Sequence, residues 1–288
     1  MLEDVKKLRE QTGAGMLDCK KALEESNGDI EQAVVWLREK GIMKAAKKQE
    51  RIAAEGLCDV LAQDDKAVIF EVNCETDFVS KNEKFRNNIL EIRNYLLNSD
   101  VNTYEEALQG NMGNETLESY ITAMTATIGE KISFRRFTKL VKGSNEIFGT
   151  YIHMGGKIAS LVLVEGDNQE VAKDIAMHVA AMNPKYITSD EVSEEEKEQE
   201  AKIAKEQAIN EGKPEAIAEK MVAGRVLKYV KEISLVEQPF VKDPSMTVGE
   251  LAKKNGLVIK KMVRYEVGEG MEKRQDNFEE EVKKQLGE

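Results

Sequence analysis

The sequence predicts an α+β protein with antiparallel sheets, helices on one face of them, a three-helix N-terminal region and an antiparallel helical hairpin. One reason is a repeat, because a strand, a turn, a second strand and a helix follow one another around 56–97 and again around 147–182. Another is that apolar residues recur at helical spacing in 1–40 and 190–231. Adjacent strands of opposite direction, covered by helices, give a two-part α+β core.

Composition narrows the possible functions. The 288 residues suffice for two or three domains, and the net charge of −11 lacks the basic field that nucleic-acid binders use, so we expect no direct nucleic-acid partner. No stretch reaches the roughly 18 apolar residues of a membrane span, and the acidic start at 1–4 does not predict a signal peptide. The cysteines are odd in number and lack paired spacing, which predicts reduced thiols in a cytoplasmic protein; they are Cys19, Cys58 and Cys74.

Residues 1 to about 40 are predicted to form three short helices. The Gly-containing segments 12–15 and 27–29 interrupt the apolar pattern, and Asp29 is a good N-cap. Such a small unit either docks to a partner or packs permanently on the rest of the chain, and the sequence alone leaves both possibilities open. An Ala-rich, helical, basic linker with a solvated face is expected after Gly41; its charges are Lys44, Lys47, Lys48 and Arg51.

The first copy of the repeat has predicted strands at 56–62 and 66–74 and a helix at 80–97, for which Ser80 and Glu83 suggest a capping box. The second copy has predicted strands at 147–154 and 157–164. Its helix ends before Pro184 and has an apolar stripe of Val171, Ile175, Val179 and Met182.

Each copy has a corner between its second strand and its helix. In the first copy, the corner segment 76–79 places the carboxylate of Asp77 beside the ring of Phe78. Phe78 precedes Phe85 by seven residues, so it would either extend the core stripe of the helix, with Asp77 as a cap, or act as an exposed wedge. The second corner, 165–168, has no aromatic residue, which favours a functional role for Phe78.

The other predicted elements lie between and after the two copies. The hairpin is expected to project from the body, because its first helix, 190–210, is too polar to be buried all round. It is separated from the second helix, 215–231, by a Gly-x-Pro turn at 212–214. The remaining elements are helices at 116–128, 247–254 and 275–286 and strands at 131–140 and 257–267.

Motifs for chemistry or nucleotide binding are not found. The sequence lacks a P-loop motif, and no strand precedes the Gly-rich segment 12–15. His153 and His178 lack metal-ligand spacing; His178 is expected to pack in its helix, and His153 to be exposed near a hairpin tip. Cys74 with His153 would need a third, orienting group to form a nucleophile and base. We therefore expect a binding protein that is not an enzyme and holds no cofactor, metal or nucleotide.

Six collinear segments resemble those of one known family. They are LREQTGAGMLDCKKAL at 8–23, EVNCETDFV at 71–79, IAMHVAA at 175–181, IAEKMVAGR at 217–225, QPF at 238–240 and VRYEVGEG at 263–270. On these residues the chain resembles, over nearly its whole length, bacterial translation elongation factor Ts, the guanine-nucleotide exchange factor of elongation factor Tu (EF-Tu).

The resemblance implies five parts. These are a UBA-like helical docking domain with its basic linker at 1–52, a core N-terminal subdomain at 53–140, a core C-terminal subdomain at 141–189 and 232–270, a coiled-coil hairpin at 190–231, and a C-terminal helical module at 271–288.

The resemblance also implies a site and a partner, EF-Tu in its GDP-bound and nucleotide-free states. The corner segment would dislodge Mg²⁺ from EF-Tu, with Asp77 and Phe78 inserting against helices of its GTP-binding domain. The residues implied for this segment are Thr76, Asp77, Phe78 and Val79. Other implied contacts are Ile128, Gly129 and His153 on the same face, and Arg9, Met16, Leu17 and Lys20 in the N-terminal helices.

Two other functions stay open at this point. One is a structural or adaptor protein that docks through its N-terminal helices. The other is a thiol enzyme that uses Cys74.

Overall fold

The computed structural model describes residues 2–212 and 214–272. Its helices are α1 (Leu2–Thr12), α2 (Met16–Glu25), α3 (Ile30–Ala46), α4 (Asp77–Lys81), α5 (Glu83–Asn98), α6 (Tyr104–Gln109), α7 (Leu117–Ile128), α8 (Gln169–Met182), α9 (Glu194–Asn210), α10 (Glu215–Ile233) and α11 (Val248–Lys254). Its strands are β1 (Glu55–Gln63), β2 (Lys66–Cys74), β3 (Asn111–Met112), β4 (Glu115–Thr116), β5 (Ser133–Val141), β6 (Glu146–His153), β7 (Ile158–Glu165), β8 (Pro239–Phe240), β9 (Asp243–Thr247) and β10 (Val258–Glu266). Short 3₁₀ helices cover Ser189–Glu191 and Leu235–Glu237.

The chain divides into two compact units. Unit 1 contains the described residues within 1–59, 70–137 and 266–288, and unit 2 contains 60–69 and 138–265. The five-part division implied by the resemblance stays a prediction. In the part of the chain that the structure describes, no helix is both long and apolar enough to cross a membrane.

The sheets confirm the α+β class. One three-stranded sheet has the order β1-β2-β5 and the other the order β10-β7-β6. Strands β6 and β7 pair antiparallel from Glu146↔Glu165 to His153↔Ile158, and β3 with β4 and β8 with β9 form two small antiparallel pairs.

Three N-terminal helices are confirmed, and their apolar residues form a small core of their own. That core consists of Val5, Leu8, Cys19, Ala22, Leu23 and Ala33. Asp29 caps α3, accepting a hydrogen bond from the Gln32 backbone N–H. Helix α3 runs through Gly41, where a Cβ atom would lie only 2.9 Å from the Cβ of Ala126 in α7. The basic linker predicted after Gly41 therefore begins as the last turn of α3, which packs on α7.

The single helix predicted over 80–97 is wrong at its start. Two helices, α4 and α5, occupy this region, and Asn82 separates them with an extended backbone. The Asn82 side chain caps α5 by accepting from the Lys84 N–H at 2.8 Å. Ser80 is not part of a capping box, because its hydroxyl donates to the carbonyl of Asp77 at 2.9 Å. The stripe further along α5 is confirmed, with Phe85, Ile89, Ile92 and Leu96 buried.

In unit 2, α8 packs on β6 and β7 through its apolar stripe. Ile175 and Val179 are in the core as predicted, whereas Met182, at the last turn, is 46% exposed. Helices α9 and α10 pack together as the predicted hairpin, although α9 begins at Glu194, after its cap Ser193, rather than at Asp190. The helix predicted at 275–286 lies outside the described residues.

Candidate functional site

The corner segment lies in unit 1, and one residue separates it from the end of β2. This strand is buried from Ala67 to Cys74, so it forms a rigid base for the corner. The last residue of the strand is Cys74, and its thiol donates to the Thr76 carbonyl at 3.1 Å. Thr76 then begins α4 as its N-cap, and its hydroxyl accepts from the Val79 N–H at 3.5 Å. The sequence thus places one short helical turn at the end of the strand.

Phe78 is the most exposed part of this turn. Its side chain is 81% accessible, while Thr76, Asp77 and Val79 are half-buried. The interpretation of Phe78 as an extension of the α5 core stripe is therefore wrong. Asp77 forms an ion pair with Lys81, one helical turn on, at 2.6 Å. A carboxylate and an aromatic ring accordingly lie side by side at the surface.

The underside of the turn is fixed by hydrogen bonds. Ser80 is buried, and its hydroxyl bond to the Asp77 carbonyl closes the turn from below. The Arg86 Nε donates to the Ser80 carbonyl at 3.3 Å, which links α4 to α5. The Asp77 and Ser80 carbonyls of the turn that presents Phe78 are therefore both engaged.

Glu130 is the residue that sequence reasoning missed. One of its carboxylate oxygens accepts from the backbone N–H groups of Glu75 at 3.1 Å and Thr76 at 3.0 Å. The other accepts from the Thr76 hydroxyl at 2.6 Å. The two partners are more than 50 residues apart in the chain, so no local pattern would have paired them; the position of Glu130 beside the predicted Ile128 and Gly129 was the only signal.

Glu75 makes the reciprocal bond. Its carboxylate accepts from the Lys131 backbone N–H at 2.6 Å and pairs with Arg51 at 3.2 Å. The segments 75–76 and 130–131 thus exchange side-chain to backbone bonds in both directions.

These bonds bring two of the other predicted site residues to the corner. Gly129 ends α7 in the left-handed conformation, with φ of 91°, which glycine adopts without strain. Ile128 is half-buried and Gly129 exposed, and both come directly before Glu130, whose carboxylate bonds Thr76. Of the predicted site, the structure therefore joins the corner segment with Ile128 and Gly129.

The predicted N-terminal contacts also belong to unit 1. Met16 and Leu17, at the start of α2, are 51% and 83% exposed, and Arg9 and Lys20 are exposed as well. The loop before them approaches α5, since the Lys84 ammonium donates to the Gly13 carbonyl at 3.5 Å. Burial in this contact lowers the pKa of Lys84.

His153 belongs to unit 2, where it is the last residue of β6. It is exposed there, as predicted, and its ring stacks with that of Tyr151 at 6.1 Å between centroids.

One comparison decides the family. The family model described as Elongation factor TS matches residues 75–269, a span that begins at the corner and covers more than half of the chain. The chain belongs to the elongation factor Ts family. It is accordingly an elongation factor of translation, and the family acts in nucleotide exchange, not in catalysis of a chemical reaction.

The side chains of this elongation factor Ts sequence agree with a contact role. Cys19, Cys58 and Cys74 are buried thiols, and burial raises the pKa of Cys58 far above its ordinary range. A buried Cys74 thiol gives no support to the thiol-enzyme interpretation. Among residues 2–212 and 214–272, no three His, Cys, Asp or Glu side chains are grouped as a metal site would require.

His178, the second histidine, is fully buried in α8, as expected for a packed residue. Its Nδ1 accepts from the Val241 N–H at 3.1 Å, so its Nε2–H donates to the side-chain amide oxygen of Gln238, Oε1, at 2.9 Å. Burial lowers its pKa, and the ring has a structural role in this family member.

Proposed function

We propose that this chain is the guanine-nucleotide exchange factor of EF-Tu and that it binds EF-Tu·GDP through the corner segment. Phe78, with Asp77 beside it, inserts against helices of the partner's GTP-binding domain. The inserted ring displaces the protein segment that supports Mg²⁺, and GDP then leaves.

The exposure of Phe78 carries this proposal. A phenylalanine that is 81% exposed gains little from folding of its own chain. Burying such a ring in a partner contributes about 1.5–3 kcal/mol, so the residue has more to gain from binding. The capped turn and the bonds of Ser80 and Glu130 hold the ring in place before the partner arrives, which lowers the entropy cost of insertion.

The release step follows from how GTP-binding proteins hold GDP. Mg²⁺ bridges phosphate oxygens and protein ligands, and it is the largest local positive charge in such a site. A small movement of the segment that supports Mg²⁺ therefore weakens GDP binding. Because coupling is reciprocal, a fresh nucleotide lowers the affinity of EF-Tu for this chain by the same factor, and the complex dissociates.

The same proposal assigns the remaining predicted contacts. Residues 1–52 dock on EF-Tu through Arg9, Met16, Leu17 and Lys20, which is supported by the exposure of Met16 and Leu17 beside a glycine-rich loop. Ile128 and Gly129 adjoin the wedge, and His153 contacts the partner from unit 2. This chain needs no nucleotide of its own, because the nucleotide belongs to EF-Tu.

The test is stopped-flow release of fluorescent GDP from EF-Tu. Phe78→Ala should slow release roughly tenfold to hundredfold, in proportion to the lost burial of the ring. The matched control is Leu90→Ala, which truncates an apolar side chain that is 42% exposed on α5 of the same unit and should leave release unchanged. Equal rates for wild type and Phe78→Ala would rule out the wedge.

A further inference from the structure

We propose that Glu130 is a positioning residue for exchange: it sets the direction in which Phe78 points, without touching the partner or the nucleotide. This inference rests on the proposed function of the corner. The carboxylate accepts the N–H groups of Glu75 and Thr76 and the hydroxyl of Thr76. These three bonds determine where the corner begins.

The direction of α4 depends on Thr76. As N-cap, Thr76 has an extended backbone (φ −128°, ψ 155°), and the following five residues are helical. A change in the Thr76 dihedral angles would rotate the whole five-residue turn, and with it Phe78. Helix α4 is too short to hold its own direction, because a single turn makes few internal bonds. The contacts at its first residues therefore fix the ring.

The charge of Glu130 suits this task. Glu75 and Thr76 present two successive backbone N–H groups just before α4, and a carboxylate bonds them more strongly than a neutral group would. The bond of 2.6 Å to the Thr76 hydroxyl is in the short range typical of an ionised acceptor. Thr76 in turn uses this hydroxyl to accept from Val79, so the carboxylate also fixes the cap rotamer.

Glu130 is itself held on both sides. The Lys48 ammonium donates to the carbonyl of Gly129, directly before it. The Lys131 ammonium, directly after it, donates to the carbonyls of Gln49 at 2.6 Å and Arg51 at 3.0 Å. Arg51 also pairs with Glu75. The linker after α3, the loop 129–131 and the corner thus form one bonded set in which Glu130 is the central acceptor.

The experiment measures the release of GDP from EF-Tu at a range of concentrations of the full-length Glu130→Ala variant. We expect the maximal release rate to fall roughly tenfold or more, because a misdirected wedge loses productive insertion. The concentration for half-maximal rate should change little, because the remaining partner contacts are intact. The double variant Glu130→Ala with Phe78→Ala should be less than about twofold slower than the slower of the two single variants, since both changes remove one function.

The matched control is Glu106→Ala. Glu106 accepts from the backbone N–H groups of Asn102 at 2.8 Å and Thr103 at 3.1 Å at the start of α6, so it has the same chemistry away from the corner. GDP should leave EF-Tu at the wild-type rate in the presence of the Glu106→Ala variant. Glu130→Gln keeps the shape and one acceptor and should recover part of the lost rate; it also replaces Glu130→Ala in every comparison if that variant does not melt cooperatively.

Amide hydrogen exchange gives a second readout. The Glu75 and Thr76 amides should exchange faster in the Glu130 variants and at the wild-type rate in Glu106→Ala. A slow Phe78→Ala with a normal Glu130→Ala would overturn the positioning role and leave the wedge intact. A normal Phe78→Ala would overturn both, so the two failures are distinguishable.

Discussion

The two strand-to-helix corners of the molecule belong to two copies of the same repeat, but they are built differently. After β2, the chain adds the short helix α4 before α5 and leaves Phe78 81% exposed. After β7, three residues lead directly into α8. In that second corner, Gly166 has φ of 127°, and a Cβ there would lie 2.4 Å from the side chain of Leu257. The backbone of the second corner is therefore packed closely on Leu257. Asn168 caps α8 and also bonds the side chain of Asn255.

The difference shows which features the fold itself requires. A cap and a buried strand are common to both corners, so they serve folding. The extra turn and the exposed aromatic residue occur only in the first corner, and the second corner folds without them. We therefore attribute the caps of both corners to stability, and the exposed Phe78 fits the binding role proposed for it.

The largest expected effect concerns the strands that lead into the corners. Strand β7 is buried and apolar apart from Ser160 and its exposed last residue, whereas β2 carries the fully buried Glu71. Glu71 pairs with Arg135 at 2.9 Å and Arg136 at 2.7 Å. We expect Glu71→Ala to lower the free energy of unfolding by about 3–5 kcal/mol in a chemical melt, because it leaves both guanidinium groups without their buried partner.

The control for that change is Glu165→Ala at the end of β7. Glu165 pairs with Lys260 at the surface at 3.0 Å, and its loss should leave the melt nearly unchanged. Similar free energies of unfolding for Glu71→Ala and Glu165→Ala would contradict this prediction. They would show that water replaces the Glu71 carboxylate and that the stability of β2 depends no more on Glu71 than that of β7 depends on Glu165.

A second prediction concerns the pH dependence of stability, in which α8 and α5 are expected to differ. Helix α8 contains the buried His178, whereas α5 contains no histidine. The pKa of His178 is lowered by burial below its ordinary 6.5, so as pH falls below about 6.5 the unfolded chain takes up a proton that the folded chain does not. The free energy of unfolding should fall by up to about 1.4 kcal/mol per pH unit until the folded pKa is reached.

Chemical denaturation at a series of pH values from 7.5 to 5 measures this fall in the free energy of unfolding. His178→Asn, whose carbonyl oxygen can accept from Val241, should lose this part of the pH dependence, while His153→Asn at the exposed strand end should keep it. Parallel curves for wild type and His178→Asn would contradict the assignment.

A smaller effect on stability than that of Glu71→Ala is expected at the caps. Thr76→Ala and Asn168→Ala should each lower the free energy of unfolding by about 1 kcal/mol, since each removes one helix cap. Only Thr76→Ala should also slow GDP release, because only Thr76 is bonded to Glu130. Slower release per folded molecule with Asn168→Ala would show that the second corner also acts in exchange.

The sequence predicted much of this architecture because local patterns determine it. The alternation in 66–74 and the spacing of Phe85, Ile89 and Ile92 located β2 and the core face of α5. The break at Asn82 was missed because the spacing of Ser80 and Glu83 fits a capping box equally well. Burial of Phe78 was not decidable, since seven residues separate it from Phe85 whether or not the helix is continuous.

Hydrogen bonds between residues far apart in the sequence could not be predicted from those local patterns. Glu130 meets Thr76 across 54 residues, and Glu71 meets the Gly268 N–H across 197. Such pairs arise from tertiary packing, which leaves no periodic trace in a single sequence. The family resemblance pointed to the corner segment, but not to the carboxylate that holds it.

The most direct test of the account is a pair of measurements on the double variant Asp77→Ala with Phe78→Ala. We expect its chemical melt to shift by about 0.5 kcal/mol or less, as at ordinary surface sites, while stopped-flow GDP release from EF-Tu becomes slower than with Phe78→Ala alone. A buried core phenylalanine would instead cost about 3–5 kcal/mol on truncation. A large loss of stability with unchanged release per folded molecule would contradict the account and make the first corner scaffolding, like the second.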